Sequence, residues 1–336
     1  MTDFYMSKNK GISELDLQDK LILYELSRNS RQGIRSIGRK IKKSPQFVEY
    51  RIKKLDKYIS QYPTVIGYEH LGYTTMMYYL ELNGSNKDIE KIVNMVTNKP
   101  QINVVIQTQG QCDLIVGTLF KTTEDIFVGI KDLHRQFGDN IRSLETSIHV
   151  GASYFGHRYI LPEKVERQKI PVTGGWMKQK IPIKMTDKKN KVLKILAANS
   201  QVTYKQIAND VKCSEDTARY MVKKMEQEKL IEKYSIIPSN PNNYRVMIKL
   251  SNADEKIVDK FREYGKKRIE TIQVVRTIGK YSLLFDVYAE KPYILRDWIN
   301  NLRTELGEHI LEYTYINLWN IKRLAYYQVD VNYLKA

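Results

Sequence analysis

Apolar residues near the start of the chain fall at helical spacing in short segments. Leucine and isoleucine positions predict a first helix over residues 17–27, with Asp16 as its N-cap. Ile34, Ile37 and Ile41 predict a second, shorter amphipathic helix after a polar break. A third helix is expected to follow, and three short helices joined by tight turns are typical of a helix-turn-helix.

The third helix is predicted to begin at Ser44, because serine is a preferred N-cap and Pro45 then occupies the first helical position. Its apolar stripe consists of Phe47, Val48, Ile52 and Leu55. Its complementary face, which we expect to point outward, carries Gln46, Glu49, Tyr50 and Lys53. In a helix-turn-helix this is the helix that enters the major groove.

The same pattern returns 170 residues later without a gap. Between residues 23–55 and 193–225, ten of 33 positions are identical, whereas average residue usage gives about two by chance. The match resumes farther along at a spacing of 169, where Gly110 pairs with Gly279. The chain is therefore predicted to contain two copies of one two-module unit, and we call the three-helix modules heads.

Beyond each third helix the pattern changes to strand periodicity. Residues 62–68 and 230–237 are β-prone and suggest a winged variant of the helix-turn-helix. Periodicity then predicts the order βαββαβ twice, over 73–150 and 244–319. That order is typical of a ferredoxin-like domain with two helices on one face of an antiparallel sheet. The other face must be buried, and we expect the other repeat or another chain to cover it.

The expected fold class is α+β, with two winged helix-turn-helix domains that are each followed by a ferredoxin-like βαββαβ domain. The predicted divisions are 12–70 and 185–240 for the heads, 71–150 and 241–320 for the βαββαβ domains, 151–184 for a linker with a charge of +5, and 321–336 for a C-terminal tail.

The excess of basic residues is localised. The chain carries 55 Lys and Arg against 38 Asp and Glu, a net charge of +17. Residues 1–70 hold 14 basic and 8 acidic side chains, whereas residues 71–150 hold 7 and 9. The first head is thus basic and favours a polyanionic partner, which for a helix-turn-helix is double-stranded DNA.

Gln46 is the candidate for contact with a base edge, because its amide can pair bidentately with adenine. Basic side chains around it are candidates for phosphate contacts. The predicted DNA-binding set of the first head is Arg35, Arg39, Lys42, Lys43, Ser44, Gln46, Tyr50, Arg51, Lys53 and Lys54. The alternative is that these charges form an ordinary solvated helix face.

The second head is less suited to DNA. Glu215 and Asp216 occupy the first turn of its third helix, where they favour the helix dipole but meet phosphates with the wrong sign. Its basic candidates are Lys205, Lys212, Arg219, Lys223 and Lys224. We expect the two heads to differ in affinity or sequence preference.

The remaining chemistry is sparse. Cys112 and Cys213 fall in non-matching modules, which favours a reducing compartment over a disulfide framework. No apolar run reaches the roughly 18 residues of a membrane span, so we expect a cytoplasmic chain with no membrane partner. The five histidines show no paired metal spacing, although His149 and His157 lie together near a strand end. We therefore predict no metal, no cofactor and no catalytic residue.

The run LDLQDKLILYELSRNSRQGIRSIGRKIKKSPQFVEYRIKKL, followed by VIGYEHLGY and TQGQCDLIVGTLF, resembles the Lrp/AsnC (leucine-responsive, feast/famine) regulators of bacteria and archaea. The resemblance covers nearly all of both repeats. It implies a DNA-binding transcriptional regulator whose βαββαβ domains pair sheet to sheet and often assemble further. This chain lacks the family's usual glycine before the wing and fuses two units, which predicts an intramolecular pseudo-dimer together with homo-oligomers.

The family also binds small effectors, commonly amino acids, through a loop with a G-x-x-D turn. That turn matches Gly110 and Asp113, whereas the second copy has Gly279 followed by Ser282 in place of the acid. The resemblance thus implies a small amino-acid-like effector near Gly110, Asp113 and Gly279. The alternative is that both glycines are simply hairpin residues at positive φ.

Two other functions stay open at this point. Some proteins that resemble this family are siroheme decarboxylases, which join a similar head to the βαββαβ domain. The combination of His-Asn-Tyr and Arg associated with those enzymes is not seen here, so the expected class is a non-enzyme. The other alternative is an architectural protein that coats or bends DNA with little sequence preference.

Overall fold

The computed structural model describes residues 12–99, 102–165, 173–176, 182–239, 242–324 and 327. Along these residues the helices are α1 (Leu17–Arg28), α2 (Ile34–Ile41), α3 (Pro45–Leu55), α4 (Asn86–Thr97), α5 (Thr123–Phe137), α6 (Asp187–Ala198), α7 (Tyr204–Val211), α8 (Glu215–Gln227), α9 (Glu255–Lys267) and α10 (Pro292–Leu306). The strands are β1 (Ile59–Gln61), β2 (Thr64–Ile66), β3 (Thr74–Leu82), β4 (Ile102–Gln109), β5 (Leu114–Phe120), β6 (Ile141–Tyr154), β7 (Thr173–Trp176), β8 (Ile231–Tyr234), β9 (Ile237–Pro238), β10 (Asn243–Leu250), β11 (Thr271–Gly279), β12 (Leu283–Tyr288) and β13 (Ile310–Arg323).

Each head contains three helices, and all of them except α2, which follows Gly33, begin at a residue whose side chain caps them. The Asp16 carboxylate accepts a hydrogen bond from the Asp19 amide at 2.8 Å, and α1 follows directly. Between the second and third helices, Lys42 and Lys212 both adopt the left-handed conformation, with φ of 55° and 57°. The two heads therefore turn in the same way at positions 170 residues apart.

The strands that follow the third helices pair between the heads. The sequence suggested a wing within each head, but β1 pairs with β9 and β2 pairs with β8, both antiparallel. Short strands with open edges are stabilised when another strand satisfies those edges, and here the other head supplies it. The paired strands tie the two heads into one body.

The predicted βαββαβ order is confirmed in both repeats. The first repeat has the strand order β6-β3-β5-β4 and the second has β13-β10-β12-β11. Strand β4 then pairs with β13, and β6 pairs with β11, so the two sheets join at both edges and close on each other. The helix-free faces meet in a shared core, which confirms that the other repeat covers each face.

The segment predicted as a linker takes part in the fold. Strand β6 continues past the predicted end at Val150 to Tyr154, and β7 pairs with it. Ile160 and Leu161 are buried in the core of the first head. In the C-terminal tail, Tyr327 is buried in the core of the second head, and its hydroxyl donates to Asn190 at 3.0 Å. Across the described ranges, the structure contains no helix with the length and apolarity needed to cross a membrane.

Candidate DNA-binding interface

The third helix of the first head presents a polar face to solvent. The Ser44 hydroxyl accepts a hydrogen bond from the Phe47 amide at 3.2 Å, and Pro45 begins the helix as predicted. Val48 and Leu55 are buried against the rest of the head. The opposite, exposed positions are Gln46, Glu49, Tyr50 and Lys53. Tyr50 is 56% exposed, so an aromatic ring lies near the middle of the exposed helix face.

Beside this helix, α2 and the turn after it form a basic concavity of about 550 Å³. It is lined by Arg35, Gly38, Arg39, Lys42, Lys43, Ser44 and Pro45. Gly38 makes the close approach of the two helices possible, because a Cβ at this position would lie 2.6 Å from the Lys43 carbonyl oxygen. Four exposed cations therefore surround the helix-turn-helix corner, where phosphate oxygens of a duplex would fit.

Arg51, one of the predicted phosphate contacts, is ion-paired within the first head. Its guanidinium donates to the carboxylates of Asp16 at 2.7 Å and Asp19 at 3.0 Å, and it also lies 5.0 Å from the centre of the Phe47 ring. The carboxylates of Asp16 and Asp19 thus pair with the Arg51 guanidinium, for which the sequence alone shows no partner. Arg51 thus holds α3 against α1 rather than standing free on the outer face.

Lys53 and Lys54 remain available at the end of the helix. Lys53 pairs with Glu49 at 3.1 Å, but its side chain is 75% exposed, so this pair is weak and easily rearranged. The Lys54 ammonium lies 4.4 Å from the centre of the Tyr50 ring. A hydrogen bond from Lys54 and its positive charge lower the pKa of Tyr50. Tyr50 and the two lysines form one exposed aromatic and basic patch.

The second head has the same frame with different surface chemistry. The Ser214 hydroxyl accepts from the Thr217 amide at 3.2 Å, and Tyr220, equivalent to Tyr50, is 64% exposed. Arg219 is held by Glu215 at 3.1 Å. The other predicted cations, Lys205, Lys212, Lys223 and Lys224, lie at the surface or partly exposed, with Lys224 6.0 Å from the Tyr220 ring centre.

The two faces differ most at the first turn of the third helix. At a spacing of 170, Gln46 corresponds to Asp216 and Arg39 corresponds to Asn209. Both Gln46 and Asp216 are exposed. The first head therefore offers an amide where the second offers a carboxylate, which cannot donate to a base and repels phosphate.

Contacts between the heads involve residues that the sequence did not single out. The hydroxyls of Ser30 and Ser200, paired positions of the repeat, lie 2.8 Å apart. Arg31 donates to the Val202 carbonyl at 2.6 Å and to that of Ser200. Gln201, the counterpart of Arg31, donates in return to the Ser30 carbonyl. The identity of Ser30 and Ser200 was the available signal, since only a contact near an approximate two-fold axis brings equivalent residues together.

The side chains of the predicted effector turn make hydrogen bonds within their own repeat. The Asp113 carboxylate accepts a hydrogen bond from the Leu82 amide at 2.8 Å. In the second repeat the Ser282 hydroxyl accepts from the Leu250 amide at 3.3 Å. The two side chains therefore do the same structural task, which explains how a serine can stand in for the acid. The effector role of Gly110, Asp113 and Gly279 therefore stays a prediction, beside this structural role of the Asp113 carboxylate.

The glycines of these turns are required by the neighbouring repeat. Gly110 has φ of 132°, and a Cβ there would lie 3.2 Å from Cγ2 of Ile316 in the second repeat. A Cβ at Gly279 would lie 2.8 Å from the Thr146 carbonyl oxygen in the first. Close approach of the crossing strand, together with positive φ at Gly110, accounts for both residues.

Known proteins resemble parts of this chain. A family model described as winged helix-turn-helix DNA-binding matches residues 185–232. An uncharacterized HTH-type transcriptional regulator of Pyrococcus furiosus is 27% identical over 139 residues, which are 40% of this chain and 90% of that protein. The HTH-type transcriptional regulator LrpC of Bacillus subtilis is 31% identical over 99 residues, 29% of this chain and 68% of LrpC.

These matches define a helix-turn-helix protein with an attached α/β domain. The chain belongs to the Lrp/AsnC family of transcriptional regulators. A solved structure, that of the siroheme decarboxylase NirDL, resembles the whole chain with a TM-score of 0.59 at 10% identity and covers 94% of this chain and 95% of its own. At that identity the likeness describes the fold alone.

Proposed function

We propose that this protein is a DNA-binding transcriptional regulator in which one chain supplies both heads of a pseudo-dimer. The observation that carries the proposal is the pairing of two equivalent heads through β1–β9 and β2–β8, each with an exposed third helix. In relatives that match about 40% of this chain, one unit is present where this chain has two. The duplicated βαββαβ domains, over 71–150 and 241–320, serve to hold the heads together.

The first head provides the larger share of affinity in this proposal. Its corner carries Arg35, Arg39, Lys42 and Lys43 around Ser44, whereas the second head carries Glu215 and Asp216 at the equivalent turn. The proposal therefore expects a bipartite site with two unequal halves. Replacing Asp216 by Gln in the full chain should strengthen binding to the weaker half-site, whereas the same change at the exposed Asp210 should have a smaller effect.

Mapping of occupied sites on genomic DNA tests this function. A regulator is expected to protect a small set of sharp sites, each wide enough for two heads. An architectural protein would instead coat DNA in proportion to its length, with little dependence on sequence. Length-dependent coating without preferred sites would contradict the regulatory proposal while leaving the DNA-binding heads intact.

An enzyme is the second candidate because the fold likeness to a siroheme decarboxylase extends over 94% of the chain. His149 and His157, the two histidines near the end of β6, do not form a joint site. The Nδ1 atom of His157 lies 3.1 Å from the Tyr159 hydroxyl, whereas His149 faces the shared core between the repeats. Burial lowers the pKa of each to about 3, so both are neutral at physiological pH.

Titration with siroheme separates the two candidates. A regulator that is not an enzyme should give no change in porphyrin absorbance on mixing. A saturable absorbance change together with loss of carboxyl groups from the porphyrin would favour the decarboxylase instead. We propose the non-enzyme because four exposed cations surround the helix-turn-helix corner of the first head, beside the exposed ring of Tyr50.

A further inference from the structure

The inward faces of the two βαββαβ sheets differ in chemistry at equivalent positions. In the first repeat, Met77 of β3 pairs with Gly117 of β5, which pairs with Val104 of β4. The same register in the second repeat joins Arg245 of β10, Asp286 of β12 and Gln273 of β11. Three residues that carry no charge thus correspond to an ion pair and an amide.

The ion pair lies deep between the sheets. Arg245 is 2% exposed, and its Nε and Nη2 atoms donate to the two Asp286 carboxylate oxygens at 2.8 and 2.9 Å. The Gln273 amide donates to the same carboxylate at 2.6 Å. Such a pair is costly to bury unless further polar groups surround it, and a buried charge facing only apolar atoms is strongly destabilising.

The first repeat places further polar side chains opposite this ion pair. The buried Tyr79 hydroxyl interacts with the Arg245 and Ser147 side chains, at a geometry short of an ordinary hydrogen bond. His149 lies within the electrostatic influence of both charges of the ion pair. Burial, followed by the positive charge of Arg245, lowers the pKa of His149 to about 3. Neutral polar side chains of one repeat therefore face the ion pair of the other.

The opposite end of the same core is apolar. By strand register, the counterparts of Tyr79, Ser147 and His149 in the second repeat are Met247, Ile316 and Leu318. All three belong to the same buried cluster as Met77 and Val104 of the first repeat. A Cβ on Gly117 would lie 2.8 Å from both the Met77 sulfur and the Val104 Cβ, so this end is filled as it stands.

We propose that the inward face of each sheet is complementary to that of the other sheet but not to a second copy of itself. The first repeat therefore pairs with the second, and pairing of like repeats is disfavoured. Two second repeats would place Arg245 and Asp286 against Ile316 and Leu318. Two first repeats would place Tyr79 and His149 against residues such as Met77. Either arrangement places buried charged or polar side chains against apolar ones at both ends, which costs stability and disfavours exchange of like repeats between chains.

Three full-chain variants reproduce these contacts at the polar end. The first, R245M/Q273V/D286G, gives the second repeat the identities of the first and imitates pairing of two first repeats. The second, Y79M/S147I/H149L, imitates pairing of two second repeats. The third combines all six changes and copies the apolar end. The readout is the free energy of unfolding from chemical denaturation, which needs no knowledge of ligand or DNA.

We expect both three-residue variants to lose stability and the six-residue variant to regain it. The combined variant should have an unfolding equilibrium constant at least about tenfold more favourable than the product of the two separate losses predicts. If neither three-residue variant folds, a cooperative transition in the combined variant still supports the proposal. As a matched control, Ile115→Val in the same core should combine with R245M/Q273V/D286G without such recovery.

Losses that simply multiply in the combined variant, or a combined variant that does not fold, would overturn the proposal. Either result would mean that the polar and apolar ends do not discriminate between partners. The DNA-binding function would be untouched by that result, because it rests on the heads.

Discussion

Neutralising Lys53 and Lys54 by substitution with glutamine should weaken binding to every duplex and flatten its dependence on salt. Both side chains are exposed at the end of α3, and Lys54 lies over the Tyr50 ring rather than in a buried ion pair. Since phosphates carry no sequence information, loss of these contacts is expected to reduce affinity for specific and non-specific DNA alike.

The size of the effect follows from counterion release. Each phosphate contact contributes about 0.9 to the slope of log K against log salt, so two contacts contribute about 1.8. If the variant and the unmodified chain bind equally at 1 M salt, that difference in slope corresponds to roughly 60-fold weaker binding of the variant at 0.1 M monovalent salt. Glu49 loses its partner at 3.1 Å in the variant, but both side chains of that pair are largely exposed, so the fold is not expected to suffer.

Fluorescence anisotropy with a labelled duplex at several salt concentrations measures both quantities. The matched control is K87Q/K91Q on α4, which removes the same charge from an exposed surface outside the heads. The control should keep nearly the full slope. If K53Q/K54Q retains the slope of the unmodified chain, or if the control loses as much, the exposed end of α3 does not contact DNA phosphates.

Three further outcomes follow from single residues. Arg51→Met should lower the free energy of unfolding by about 0.5–1 kcal/mol, because Asp16 and Asp19 lose their shared partner in a partly exposed ion pair. An unchanged denaturation midpoint would show that these ion pairs do not stabilise the head. Ser44→Ala and Ser214→Ala should each cost about 1 kcal/mol by loss of an N-cap, measured in the same way, and a null effect would contradict the capping geometry. Burial, followed by the positive charge of Arg28, lowers the pKa of Lys233 in the folded chain to about 7. Between about pH 7 and 10 the unfolded chain therefore binds more protons than the folded chain, and the free energy of unfolding should rise with pH in that range. Lys233→Met should remove that rise and stabilise the chain at pH 7, and a pH profile identical to that of the unmodified chain would show that Lys233 is not desolvated.

Local signals made much of the fold predictable. Ser44 followed by Pro45 predicts where α3 begins, because a capping hydroxyl and a residue without an amide hydrogen both favour that position. Strand and helix periodicity predicts the βαββαβ order, and the helix-free sheet face predicts that something must cover it. These features depend on residues near one another in sequence, or on burial that any partner of the right shape satisfies.

Long-range contacts explain what the sequence did not predict. The sequence does not show that Arg51 pairs with Asp16 and Asp19, because only the packing of α1 on α3 brings these residues together. The sequence suggests a ligand role for Asp113, but it does not show the hydrogen bond that its carboxylate accepts from the Leu82 amide. The strands expected to form wings pair across the heads instead, because backbone edges bind whichever strand arrives and sequence alone does not specify the partner.

The most direct test that both heads of one chain bind DNA is footprinting on a high-affinity genomic site. The full chain is compared with its Tyr50→Ala and Tyr220→Ala variants. Both tyrosines are exposed on equivalent third helices, at 56% and 64%. We expect two adjacent protected segments, with Tyr50→Ala weakening one and Tyr220→Ala weakening the other. A single protected segment that responds to only one substitution, or to neither, would contradict two DNA-binding heads in one chain.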